Sequence, residues 1–173
     1  MKKIGLMLFG LLLLQTITNA QTPSAAAILK PVYAKATQTN KKVLLIFHAS
    51  WCGWCKKMDA SLADTAIKAS IDRNFEIAHL TVYEIGTKKE LENLGGLELL
   101  TKLGGADQGL PYWFVLDAKG NKLVSSEFEP GKNTGCPSAE AEVAYFIKVL
   151  QQTGKFTPAE LEKIKQRFRK NEG

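Results

Sequence analysis

Two of the three cysteines stand in the sequence Trp-Cys-Gly-Trp-Cys at 51–55. An apolar run at 43–47 precedes them, and the residues that follow favour a helix. Cys52 therefore falls at a helix N-terminus, where free N–H groups and the helix dipole stabilise a thiolate. Cys55 lies one turn further along, within disulfide-forming distance. The spacing suits thiol–disulfide exchange and predicts Cys52 as the exposed, reactive thiol and Cys55 as the buried one.

A CxxC pair has three other common uses. A zinc site needs four ligands, and the chain has no second CxxC. Attachment of a c-type haem needs a histidine after the second cysteine, and Lys56 stands there. A purely structural disulfide stays open, although so short a loop stabilises a fold little through chain entropy. The pattern favours redox chemistry.

The elements around the pair predict an α/β domain. An unbroken apolar run at 43–47 is typical of a central strand covered on both faces, and 75–83 alternates as a second strand. Two further strands, 112–116 and 122–128, flank a tight loop at 117–121. The order predicts three layers with a central mixed sheet. Helices are predicted at 28–38, 53–62, 65–73, 88–94, 97–103, 138–152 and 158–170.

Two stretches carry a resemblance to the thioredoxin family. They are Phe-His-Ala-Ser-Trp-Cys-Gly-Trp-Cys-Lys-Lys-Met at 47–58 and Gly-Leu-Pro at 109–111, before the strand 112–116. The chain is most similar to secreted thioredoxin-like proteins and to the C-terminal domain of bacterial transmembrane thiol reductases. The resemblance covers roughly residues 28–152 in element order. It implies a thioredoxin-like three-layer sandwich and a protein-disulfide oxidoreductase without metal or organic cofactor.

The resemblance also implies roles for individual residues. Cys52 would attack a substrate disulfide and Cys55 would resolve the mixed disulfide. Pro111 matches the family's cis-proline, beside which the backbone of Leu110 would bind an extended substrate by strand addition. The residues expected to shape the substrate site are Trp51, Gly53, Trp54, Leu110, Pro111 and Tyr112.

One departure from the family bears on proton transfer. Thioredoxins carry a buried acid six residues before the first cysteine, and here that position is Ile46. The proton that leaves Cys55 then needs another acceptor. His79, on the next strand, could relay it, but a hydrogen-bonded core histidine is the interpretation that its position favours. His48 faces the same choice with less to recommend it.

Three further polar or reactive residues are expected to have no part in the chemistry. Tyr83 and Glu84 fall at the end of a strand and are expected to be solvated. Cys136, the odd cysteine, is expected to be a free, buried thiol, although pairing between molecules or a third redox role stays open.

The first residues read as a targeting segment. Residues 1–20 combine two lysines, an apolar stretch too short for a membrane span, and small residues before Gln21, which predicts a signal peptide. We expect a linker at 21–27 and one domain over 28–173. Export would place the protein in the periplasm or outside the cell. The net charge of +6 is scattered, which does not favour nucleic acid as a partner.

The sequence predicts an exported enzyme that exchanges disulfides with protein or peptide substrates. A membrane thiol reductase could supply electrons, and a monomer is expected. The alternative is a binding or chaperone module of the same fold whose CxxC is only structural. The direction of electron flow depends on thiolate stability in the folded protein and not on the motif alone.

Overall fold

The computed structural model describes residues 22–172, so the predicted signal peptide at 1–20 lies outside the described residues. The strands are β1 (Lys42–His48), β2 (Phe75–Thr81), β3 (Tyr112–Leu116), β4 (Lys122–Ser125), β5 (Glu127–Glu129) and β6 (Lys132–Asn133). The helices are α1 (Ala25–Thr39), α2 (Gly53–Leu62), α3 (Lys68–Asn74), α4 (Gly96–Leu103), α5 (Glu140–Thr153) and α6 (Pro158–Arg169), with short 3-10 helices at Gly86–Leu91 and Lys170–Glu172. Within residues 22–172, no helix is both long and apolar enough to span a membrane.

The central sheet is mixed, as predicted. Its strand order is β2-β1-β3-β4, with β1 parallel to β2 and antiparallel to β3, and β3 antiparallel to β4. Strands β5 and β6 form a separate two-stranded sheet. The register sets Ile46 of β1 opposite His79 of β2 on one side and Trp113 of β3 on the other.

Helices cover both faces of this sheet, which confirms the three-layer prediction. On one face, α2, α3, α5 and α6 pack against alternate strand residues such as Leu44, Ile46 and Trp113. On the other, α1 and α4 pack against the residues between them, such as Leu45 and Phe47. All five residues at 43–47 are at most 1% exposed, which is why β1 has no polar alternation.

Two predicted strands are shorter in the structure. β2 ends at Thr81, and Tyr83 has a left-handed backbone with φ of 56°, so the strand does not reach Tyr83. The predicted strand 122–128 breaks at Ser126, which is fully buried. Its N–H donates to the Trp113 carbonyl, and its own carbonyl accepts the N–H of Thr134. Ser126 thereby turns the chain out of the central sheet and into β5.

Helix boundaries also differ from the prediction. α1 begins at Ala25 rather than residue 28, because the Ser24 hydroxyl accepts the N–H of Ala27 and caps the helix there. α3 begins at Lys68, since residues after Asp64 first form a turn in which the Asp64 carboxylate accepts the N–H of Ala66. The stretch predicted as a helix at 88–94 is a 3-10 helix at Gly86–Leu91.

Candidate active site

Cys52 and Cys55 form a disulfide at the start of α2. Cys52 is the N-cap residue of the helix, and its Sγ accepts the N–H of Cys55 at 3.0 Å. The same helix start offers N–H groups to a thiolate once the disulfide is reduced. In the disulfide form both residues are buried, 3% and 2% exposed, so the prediction of an exposed Cys52 is wrong for this form. The cause is tertiary, since Ala49 and Leu110 pack against the pair.

Two tryptophans stand on the surface beside the disulfide. Trp51 is 51% exposed and Trp54 is 46% exposed. The indole N–H of Trp51 donates to the Tyr83 carbonyl at 2.8 Å, and the ammonium of Lys57 lies 4.4 Å from the ring centre of Trp54. Both rings therefore expose apolar area to solvent while these contacts restrict their orientation. Gly53 between them has open space where a Cβ would stand, so no contact requires glycine there.

The loop before β3 meets the disulfide from the opposite side. The Leu110–Pro111 peptide bond is cis, as the resemblance implies. Leu110 packs against Cys52 and Cys55, and neither its N–H nor its carbonyl has a hydrogen-bond partner among residues 22–172. The backbone of Leu110 is thus available to an extended chain next to the disulfide.

Tyr112 does not join this surface. Its side chain is 1% exposed and packs with Phe47 and Phe114 under α1 and α4. The Tyr112 and Phe114 ring centres lie 5.1 Å apart. The prediction that Tyr112 lines the substrate site with its side chain is therefore wrong, because alternate residues of β3 point to the face away from α2.

Glu84 is buried rather than solvated, and it is the residue that the sequence interpretation missed. It is 2% exposed, and its carboxylate accepts the N–H of Ser50 at 2.5 Å and the Ser50 hydroxyl at 2.8 Å. Its own N–H donates to the carboxylate of Glu92 at 2.8 Å. Together with the Trp51–Tyr83 hydrogen bond, these contacts fix the segment that leads into Cys52.

A histidine pair lies on the face of the sheet that α2 covers. The rings of His48 and His79 are 5.2 Å apart, and His79 Nε2 lies 2.9 Å from the Asp59 carboxylate of α2. His48 Nε2 contacts the Thr81 hydroxyl at 3.2 Å. Burial, followed by the neighbouring His79, lowers the pKa of His48 below its usual value. The His79 side chain is 34% exposed, so the interpretation as a core histidine is wrong.

Cys136 is a free and buried thiol, as expected. The Asn171 side-chain amide donates to its Sγ at 3.4 Å. Burial raises the pKa of Cys136 to about 12, which disfavours the thiolate that exchange chemistry needs. Cys136 is therefore a poor nucleophile in the folded protein.

Comparison with known families gives one match by sequence. A profile of the family described as thioredoxin-like matches residues 28–118, more than half of the chain. No curated protein matches the sequence.

Several solved structures are similar to this chain. A disulphide isomerase from Xylella fastidiosa Temecula1 is 23% identical with a TM-score of 0.50, over 84% of this chain and 88% of that one. A structure titled DsbH oxidoreductase is 24% identical with a TM-score of 0.47, over 83% and 93%. The DsbD C-terminal domain of Neisseria meningitidis, in the oxidised form, is 23% identical with a TM-score of 0.44, over 78% and 99%. At such identity the first of these supports the fold alone, which is thioredoxin-like.

Replacing Glu84 should destabilise the protein measurably. Glu84→Gln keeps the shape but offers one acceptor oxygen where the carboxylate offers two, so one of the two hydrogen bonds from Ser50 is lost or must reverse its direction. We expect the free energy of unfolding to fall by about 1–2 kcal/mol in urea titrations. The matched control is Glu90→Gln at an exposed position, which should change the free energy of unfolding by less than about 0.5 kcal/mol. Equal stability of the two variants would contradict the assigned role of Glu84.

Proposed function

This chain belongs to the thioredoxin-like family, and we propose that it is a thiol–disulfide oxidoreductase acting on protein or peptide disulfides through Cys52 and Cys55. One observation carries the proposal. The disulfide caps a helix N-terminus beside a loop residue, Leu110, whose backbone groups are unpaired among the described residues. A purely structural disulfide would need no such neighbour.

The chemistry proceeds in two exchanges. The Cys52 thiolate attacks one sulfur of a substrate disulfide, forms a mixed disulfide and releases the other substrate sulfur as a thiolate, which takes up a proton. The Cys55 thiol loses its proton and its sulfur attacks Cys52, which forms the enzyme disulfide and releases the second substrate thiol. Two electrons and two protons pass from the enzyme dithiol to the substrate. A dithiol donor restores the reduced enzyme by the reverse sequence.

Substrate recognition follows from the surfaces around the disulfide. An extended substrate segment would pair with the backbone of Leu110, and the exposed rings of Trp51 and Trp54 supply apolar contact area on the other side. Backbone pairing does not depend on the side chains of the substrate, which suits an enzyme that acts on disulfides in many different sequences.

The proton of Cys55 requires an acceptor, and we assign this role to His79. Ile46 occupies the position next to His79 on the sheet and cannot take a proton. Asp59 lies one helical turn beyond Cys55 on α2 and holds His79 Nε2 at 2.9 Å. This carboxylate stabilises the charged imidazole that forms when the proton arrives.

Export and an external electron donor complete the proposal. The pattern of residues 1–20 supports secretion to the periplasm or beyond. A thiol reductase embedded in the membrane would then serve as the dithiol donor. We also propose that the protein works as a monomer.

A turnover assay with insulin tests the proposed chemistry against a purely structural disulfide. With dithiothreitol as donor, the wild-type protein should accelerate insulin reduction, and Cys52→Ser should abolish the acceleration, because the attacking sulfur is gone. Cys136→Ser is the matched control and should keep near-normal activity. Wild-type protein without thiol-dependent turnover, or a Cys52→Ser variant that retains it, would favour the binding or chaperone module.

Replacing His79 should slow the resolving step. We expect His79→Gln to reduce the rate of mixed-disulfide resolution about tenfold, less than an enclosed base contributes, because water reaches this side chain. Stopped-flow acid quenching with a cysteine peptide should show the mixed disulfide accumulating. Lys68→Gln, on the same surface groove, should resolve at the wild-type rate. Unchanged resolution in His79→Gln would remove His79 from the mechanism.

A further inference from the structure

A short hairpin lies beside the loop that carries the cis-proline. β5 and β6 pair in antiparallel register, and the carboxylate of Glu127 accepts the N–H of Gly131 in the turn at 2.6 Å. Gly131 has φ of 74°, a conformation that suits glycine. The Tyr145 hydroxyl of α5 lies 2.9 Å from the Ser125 carbonyl and donates to it at the base of the hairpin. Both ends of the hairpin are thus held.

Asn133, the last residue of β6, joins this hairpin to the cis-proline loop. Its side-chain amide donates to the Gly109 carbonyl at 2.7 Å and to the Pro111 carbonyl at 3.0 Å. Its Oδ1 accepts the N–H of Gly135 at 2.9 Å. The amide group therefore has a partner for both of its N–H donors and for its oxygen.

The two carbonyls that Asn133 holds lie on either side of Leu110. Fixing the Gly109 and Pro111 carbonyls toward the hairpin limits the rotation of the peptide groups around Leu110. The N–H and carbonyl of Leu110 then keep one direction, next to Cys52 and Cys55. A loop held in its binding geometry loses less conformational entropy when a substrate chain pairs with it.

The same hairpin bounds a groove that begins at the active site. The groove extends from Trp54 and Leu110 to Phe128 and Asn133. A substrate strand paired with Leu110 would continue along it. The hydrogen bonds from Asn133 to the cis-proline loop therefore lie along one wall of this groove.

We propose that Asn133 is a positioning residue for substrate binding, which orders the backbone of Leu110 through the two carbonyls that flank it. The inference rests on the proposed function, and it adds a residue outside the CxxC helix and the cis-proline loop to that site. The three hydrogen bonds of the Asn133 side chain go to Gly109, Pro111 and Gly135, and none goes to a sulfur. Its effect should therefore fall on binding of extended substrates and leave the sulfur chemistry unchanged.

The test compares a protein disulfide with a small one. Asn133→Asp keeps the size and the Gly135 contact but removes both donors and places a carboxylate against two carbonyls. For insulin, KM should rise on the order of tenfold while kcat changes by less than about twofold. The rate with 5,5′-dithiobis(2-nitrobenzoate), which needs only access to Cys52, should be unchanged. The control Gln152→Glu adds the same charge at an exposed site of α5 and should match the wild type in both assays.

The outcomes separate the inference from the function on which it rests. An Asn133→Asp protein that loses activity equally with both disulfides, or keeps the wild-type KM for insulin, overturns the positioning role. Wild-type protein that reduces neither disulfide overturns the proposed function and this inference with it. If Asn133→Asp does not fold, Asn133→Ala removes the donors without adding charge and should show the same KM increase. Failure of both variants to fold would make the contact a stability element and overturn the assignment.

Discussion

The burial of β1 on both faces is the constraint from which the site follows. Because helices cover the strand from both sides, its five central residues are apolar, and the chain leaves the sheet only after His48. Four residues later it must start α2, and Cys52 stands at that start. The position of the reactive sulfur is therefore set by where a fully covered strand ends and the helix on its face begins.

Three other segments then converge on the end of β1. The residues after β2 contribute Glu84, which holds Ser50, and the Tyr83 carbonyl, which holds Trp51. The loop before β3 brings Leu110 against the disulfide, and Asn133 ties that loop to the β5–β6 hairpin. Each contact joins residues distant in sequence, so the site is assembled by tertiary structure around a local cysteine motif. The reactive sulfurs thus come from one short motif, whereas the shape of the surface around them comes from contacts between distant segments.

The sequence predicts those parts of this arrangement that local patterns determine. The apolar run of β1, the CxxC at a helix start and the position of His79 on the next strand all follow from periodicity and chain order. Glu84 was predicted to be solvated, because its burial depends on Ser50, 34 residues away. The first two residues of the hairpin are predicted as the end of the longer strand 122–128, since only the pairing of Ser126 with Trp113 and Thr134 shows the break. No pattern in the sequence predicts β6. The burial of Cys52 depends in the same way on Leu110, which no local pattern places over the sulfurs.

The central claim is that Cys52 alone attacks the substrate. Trapping tests it directly, since the Cys55→Ser variant cannot resolve a mixed disulfide and still contains Cys136 as an internal competitor. After incubation with an oxidised cysteine peptide, the intact variant is digested without reductant and the linked fragments are mapped by mass spectrometry. We expect a single peptide adduct, on Cys52, since burial keeps Cys136 protonated. An adduct on Cys136, or none on Cys52, would contradict it.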